Sequence, residues 1–232
     1  MKKETFADPK QLYERLEYGF TIVFVAFLPI VTLSVMVYVA NEYGLSPLNE
    51  ILAVSPRTPW GIITSLFVHA DEKHLLNNMI ALFVFFLLLL GSNVFHSRME
   101  LKHRILTTLP LIICIPIVLN LFFIVYFPEL KLIGSSNIVY TLEGRCIGYS
   151  LINSLELSEA RKSVQKERRM LLASSLLNVI VFVSFFLNVL LYPLLSVSTG
   201  LPLIVWIHRL AFIGGFLTIV YYAFGRQFRQ SE

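Results

Sequence analysis

Three groups of residues in this chain could do chemistry. The first is His69, His74 and Asn78. His74 and Asn78 are four apart and share a face once a helix has begun. Two imidazoles and an amide entering an apolar segment need partners. They form either a polar cluster that ties a loop to a helix or a metal site, although no HExxH pattern or carboxylate ligand accompanies them. The second group is the run Gly134-Ser135-Ser136-Asn137-Ile138-Val139-Tyr140. Serine is a favoured helix N-cap, which is the plain reading of this run. A serine at a helix N-terminus also sits beside free backbone N–H groups that can stabilise a developing oxyanion. Tyr140 lies four residues on, on the face of Ser136. The third is His208, the one histidine of the last apolar segment. A serine hydroxyl is a weak nucleophile until a base accepts its proton. Ala211 and Gly215 follow His208 at helical spacing, and small residues let membrane helices approach closely. Packing against a segment that carries Gly144 and Gly148 on one face would bring His208 within reach of Ser136.

These groups sit in a chain built for lipid. Of its 232 residues, 56% are apolar and only 15% are charged, with a mean hydropathy of +0.71. A soluble domain carries about 25% charged residues. Crossing the hydrocarbon core takes about 20 apolar residues, and six stretches fit: Tyr18–Ala40, His74–Gly91, Ile105–Phe127, Ser136–Ser154, Leu171–Val197 and Leu203–Phe224. The expectation is an all-α membrane protein, a single domain over residues 1–232 formed as a six-helix bundle. The second and fourth spans carry His74, Asn78, Ser136, Glu143 and Arg145, so they should face the bundle interior or a water-filled cavity. Glu143 and Arg145 read as structural, Glu143 protonated or paired and Arg145 snorkelling toward the cytoplasm.

Basic residues set the orientation. Lys2, Lys3, Lys10 and Arg15 lie before the first span, and Arg98, Lys102 and Arg104 between the second and third. Arg161, Lys162, Lys166, Arg168 and Arg169 lie between the fourth and fifth, and Arg226 and Arg229 after the sixth. The opposite side has Arg57, Lys73 and Lys131. The positive-inside rule then places both termini in the cytoplasm. The net charge of +4 serves topology and contact with anionic lipid rather than nucleic acid. No cleavable leader is expected, because the first 16 residues are polar and the first apolar run is too long. Glu42–Trp60 reads as a long external loop with a short interfacial helix, and Glu156–Arg169 as a charged, helical cytoplasmic connection. Cys114 and Cys146 lie in apolar segments and imply no disulfide framework. No internal repeat is visible.

In order and spacing, the three groups resemble the rhomboid family of intramembrane serine proteases. Trp60–Met79 reads WGIITSLFVHADEKHLLNNM and is similar to the family's first loop and second helix, with His69, His74 and Asn78 in an H-x4-H-x3-N pattern. Gly134–Gly144 reads GSSNIVYTLEG and is similar to the G-x-S-x-x-x-Y opening of the fourth helix. His208–Gly215 reads HRLAFIGG and is similar to the stretch around the histidine of the sixth helix. The resemblance implies Ser136 as nucleophile and His208 as general base in a dyad without a third carboxylate. It implies Tyr140 stacked on the His208 ring. It implies an oxyanion site from His74, Asn78 and the Ser136 backbone N–H, Gly134 permitting close approach, and His69 holding the loop. It implies transmembrane proteins as substrates, a setting in the cell membrane, and neither a metal nor another cofactor.

The sequence departs from the family pattern at Asn137, where Gly or Ala is usual, at Trp60-Gly61, where Trp-Arg is common, and at Ala211, where glycine is usual. A second register of the last motif would put Phe212 in the histidine position and remove the base. The His208 register keeps the histidine and both small positions. Two other functions remain open at this level. One is a rhomboid-like pseudoprotease that binds membrane proteins without cutting them. The other is a six-helix transporter using His74, Asn78 and Glu143, although the inverted repeat expected of many transporters is absent. The charge asymmetry predicts that cysteine tags at both termini escape an impermeant thiol reagent in sealed cells. Labelling of both tags would invert the topology.

Overall fold

The structure, a computed structural model, describes residues 9–44, 48–93, 98–129, 133–159, 180, 183 and 202–230. Among them the regular elements are helical, with a lone antiparallel bridge between Ser55 and Thr58. In chain order they are α1 (Pro9–Glu42), α2 (Leu48–Leu52), α3 (Gly61–Thr64), a 3-10 turn over Ser65–Phe67, α4 (Glu72–Asn93), α5 (Arg98–Tyr126), α6 (Ser136–Glu159) and α7 (Pro202–Gln230). Four stretches are long and apolar enough to cross a membrane: Leu12–Glu42, Glu72–Asn93, Met99–Tyr126 and Val205–Ala223. The chain is a membrane protein built of helices. Apart from residues 180 and 183, the expected fifth span, Leu171–Val197, lies outside the described residues. The expected 42–60 loop does hold a short helix, α2.

The α6 helix is the hub. It packs against α4, α5 and α7, and every residue from Thr141 to Ser150 is buried. Its neighbours stand between it and lipid, so its polar residues need not meet hydrocarbon, and it is too polar to count among the four apolar spans. The outer helices show the reverse pattern. Phe24, Val25 and Met36 of α1 and Val118, Phe122 and Val125 of α5 point outward, as apolar solvent requires.

Two sequence expectations are corrected here. Arg104 does not lie in a loop, because α5 begins at Arg98. Its guanidinium is fully buried and donates to Asn93 Oδ1 at 2.8 Å, Asn153 Oδ1 at 2.7 Å and Glu100 Oε1 at 2.8 Å. Asn153 Nδ2 in turn donates to the Ser92 carbonyl. Nor does Arg145 snorkel. It is 2% exposed and donates to Thr108 Oγ1 at 3.0 Å, Thr218 Oγ1 at 2.6 Å and Tyr149 Oη at 3.2 Å. The reason is position: α6 is walled in, and the hydroxyls of three helices reach the guanidinium before water could. A buried charge is tolerated only when its donors are satisfied. These two arginines tie α4, α5, α6 and α7 together.

The α6–α7 crossing is closer still. A Cβ on Gly144 would run into the Phe212 carbonyl, and one on Gly215 into the Thr141 carbonyl. On Gly148 it would meet Ile219 Cβ at 2.7 Å. Backbone rests on backbone, and backbone cannot rotate aside as a side chain can. By contrast, a Cβ on Gly214 meets only the Ile115 side chain, at 3.0 Å. Gly144→Ala and Gly215→Ala should each cost about 1–3 kcal/mol or more and visibly lower the unfolding midpoint in detergent. Gly214→Ala should cost clearly less. Equal effects at all three positions would contradict the backbone-contact account.

Candidate functional site

Two helix N-termini and a loop meet beside α7. Asp71 caps α4: its Oδ1 accepts the His74 N–H at 2.7 Å, which fixes His74 in the first turn. At the start of α6, the Ser135 carbonyl accepts the N–H groups of Ile138 and Val139 at 2.9 and 3.2 Å. Ser135, not Ser136, thus occupies the cap position. Its hydroxyl is not used for capping; it lies 2.9 Å from His69 Nε2. Ser136 is the first helical residue, where backbone N–H groups have no partner inside the helix.

Ser136 Oγ lies 2.8 Å from His208 Nε2. The Tyr140 ring stacks on the His208 ring, with centroids 4.5 Å apart and planes 23° apart. The glycine contacts between α6 and α7 lie one or more turns further along the same interface. His208, rather than Phe212, therefore faces the serine; Phe212 is buried a turn deeper, with its carbonyl on Gly144. Ala211 is fully buried at this crossing and does not hold the helices apart.

Gly134 precedes the serines with φ +118°, a conformation that L side chains rarely adopt. A Cβ here would stand 2.9 Å from His74 Cε1, 3.2 Å from His74 Nε2 and 3.7 Å from Ser136 Oγ. The glycine is needed for its backbone and for the space, and it lets the His74 imidazole approach the serine. The Gly134 N–H donates to the Ser65 carbonyl at 2.9 Å, pinning this turn to the 3-10 segment.

The loop before α4 is held without an arginine at position 61. Trp60 Nε1 donates to the Ile51 carbonyl at 2.7 Å, Thr58 Oγ1 to the Ala53 carbonyl at 2.6 Å and Thr64 Oγ1 to the Leu52 carbonyl at 2.9 Å. Gly61 lies directly on the Ala53–Val54 backbone, where any side chain would collide. The His69 ring stands edge-on to that of His74, 5.3 Å between centroids.

A cavity of about 240 Å³ opens at the serine, lined among others by Ser65, His74, Asn120, Gly134, Asn137 and His208. The structure thus gathers Ser136, His208, His74 and Gly134 around one space, with Tyr140 behind the base and His69 behind the loop. Asn78 does not line this cavity. It sits one turn beyond His74, 8% exposed, and its Nδ2 has no hydrogen bond among the described residues.

Three polar lining residues went unremarked as site residues in the sequence. Asn120 donates to the Ile62 carbonyl at 3.0 Å and to Ser65 Oγ at 3.1 Å. It is a lone amide inside an apolar run, and that signal could have marked it. Ser65 had no signal, since a serine before a helix is commonplace. Asn137 stood out only as a departure from the family pattern.

The arrangement suits acyl transfer: a hydroxyl with a base in reach, an aromatic ring holding the base, and donors beside the serine. Its supporting histidine should also be sensed by acid. Burial, with the neighbouring His74 acting the same way, pushes His69 down to about 4. An unfolded histidine binds its proton below about 6.5. Between these values the unfolded chain holds more protons, so stability is complete above the upper one and falls as pH drops toward the lower. The loss should approach about 3 kcal/mol at the acid end. His69→Gln should flatten the slope of the unfolding midpoint against pH in that window; an unchanged slope would clear His69.

Comparison with protein-family models, with curated proteins and with solved structures found no match.

Proposed function

We propose that this chain is a rhomboid-type intramembrane serine endopeptidase that cuts membrane proteins in or near their transmembrane segments. The observation that carries the reading is the 2.8 Å contact of Ser136 Oγ with His208 Nε2, made at a helix N-terminus and beside a cavity. Hydrogen-bond reach is the first requirement of a nucleophile and its base. The stacked Tyr140 supports the reading, because a base must hold one orientation to take and return a proton. The proposal includes the six-helix bundle with both termini cytoplasmic, a setting in the cell membrane, and transmembrane proteins as the substrates.

In the proposed reaction, the Ser136 hydroxyl attacks the scissile carbonyl as its proton passes to His208 Nε2. The carbonyl oxygen becomes an oxyanion, with the Ser136 backbone N–H and the His74 ring as donors. Asn78, a turn beyond His74 with an Nδ2 that has no hydrogen bond among the described residues, is the third proposed donor. The tetrahedral intermediate collapses to an acyl-enzyme as His208 gives its proton to the leaving amine. Water, held in the polar cavity because hydrocarbon holds none, then gives its proton to His208 and attacks the ester. The carboxylate product leaves and Ser136 recovers its proton. The substrate helix has to unwind locally to present its carbonyl, so helix-weakening residues are expected near the cut.

The rival is a pseudoprotease with the same architecture, for which Asn137 and Ala211 are the sequence grounds. Purified protein in lipid should take up a fluorophosphonate probe at Ser136. It should also cleave a transmembrane substrate. Ser136→Ala and His208→Ala should each abolish cleavage. Because the two act as a unit, the double variant should be no worse than either single one. If wild type takes up no probe and cuts nothing, the pseudoprotease reading replaces this one. If His208→Ala cleaves like wild type while Ser136→Ala is inert, the base is misassigned.

A further inference from the structure

Among the polar side chains that line the cavity, most already have partners. Ser136 and His208 hold each other, and Asn120 donates to both Ile62 and Ser65. Asn137 is different. It is 6% exposed, it lines the cavity directly after Ser136, and its Oδ1 is buried with no hydrogen bond among the described residues. Its backbone carbonyl is engaged, accepting from Thr141 Oγ1 at 2.7 Å, so the helix holds the residue firmly while its side-chain oxygen is left without a partner among the described residues. A buried amide oxygen without a partner is costly, and natural proteins keep few of them. One beside a reacting serine is best explained by a partner that arrives with the substrate.

The cavity says what kind of partner. At about 240 Å³ it exceeds the roughly 30 Å³ share of a single water, and it has room for a small side chain. Ser65, Asn120 and Asn137 give it polar lining, while Ile133 and Ile207 give it apolar lining. A side chain of alanine size would fill part of the space and leave the amide unmet. A bulky apolar side chain would desolvate the amide and give nothing back.

We propose that Asn137 is a specificity-determining residue, whose side-chain amide hydrogen-bonds a small polar side chain on the substrate residue that flanks the scissile peptide bond. The inference rests on the protease reading and extends it to a substrate class: transmembrane segments with serine, threonine or a similar small hydrogen-bonding residue at the cut. The orphaned amide oxygen is an acceptor, and a substrate hydroxyl can donate to it. A site that hydrogen-bonds a substrate group penalises the analogue lacking it, because its own buried polar group is left unpaired.

The test uses isosteric pairs. One transmembrane substrate is made with Thr or Val, and with Ser or Ala, at the flanking position, and kcat/KM is measured with the full-length protein in lipid. Wild type should favour Thr over Val and Ser over Ala by on the order of tenfold. Asn137→Ala should shrink both ratios toward one, and Asn137→Leu should reverse the Thr–Val preference. Fluorophosphonate uptake, measured in parallel, reports whether each variant still assembles the serine site. Equal wild-type rates on Thr and Val overturn the inference without any variant. So does a preference that survives Asn137→Ala in protein that still takes up the probe. Wild type that neither cleaves nor labels overturns this inference together with the protease reading, whereas cleavage without preference overturns this inference alone.

Discussion

Everything at the candidate site depends on how closely α6 and α7 can approach. Ser136 and His208 are 72 residues apart in sequence and meet only because these two helices cross with backbone on backbone. Gly144 takes the Phe212 carbonyl and Gly215 takes the Thr141 carbonyl, so each helix supplies a groove for the other. Lipid tails are as apolar as leucine, so burial of apolar surface gives little reason for membrane helices to associate; close packing does. A few tenths of an ångström lost at the glycines would carry up the interface to the serine and histidine, where hydrogen-bond geometry tolerates little. Tyr140, stacked on His208, extends the same interface to the level of the serine.

The interior that supports this crossing is polar in a way the outside is not. Arg104 and Arg145 are among the most buried side chains in the protein, in a chain whose outer helices point Phe, Val and Met outward. Each arginine is surrounded by amides and hydroxyls drawn from several helices. Moving a helix would leave an unsatisfied cation in a medium that cannot hydrate it. Directional hydrogen bonds therefore fix the register of α4, α5, α6 and α7, and the glycines fix the distance.

At the other end, the serine turn is clasped from outside. The Gly134 N–H reaches Ser65, and Ser135 reaches His69. Two neighbouring serines thus pair with two different histidines. One pair is buried and holds the turn; the other faces a cavity. The difference lies in exposure, not in residue type: Ser135 is fully buried, whereas Ser136 opens on the cavity.

Much of this was legible in the sequence. Hydropathy fixed the helical membrane class, because long apolar runs have few other uses. The resemblance to the rhomboid family, carried by motif order and spacing, grouped Ser136, His208, His74, Gly134 and Tyr140. Local rules could not show which of two adjacent serines would cap the helix, nor that Asn78 would sit behind the cavity while Asn120 and Ser65 line it. They also placed Arg104 in a loop, since a charged residue near a span end normally seeks water, and had Arg145 snorkel toward the cytoplasm, since a long side chain can carry its charge out of a span. Those outcomes depended on which helix faces meet, a property of the packed bundle. Sequence by itself determined the solvent for which this protein is built and the side chains able to react. Tertiary structure alone decided which of them touch, because contact across 72 residues is set by backbone approach and by the hydrogen bonds that hold it.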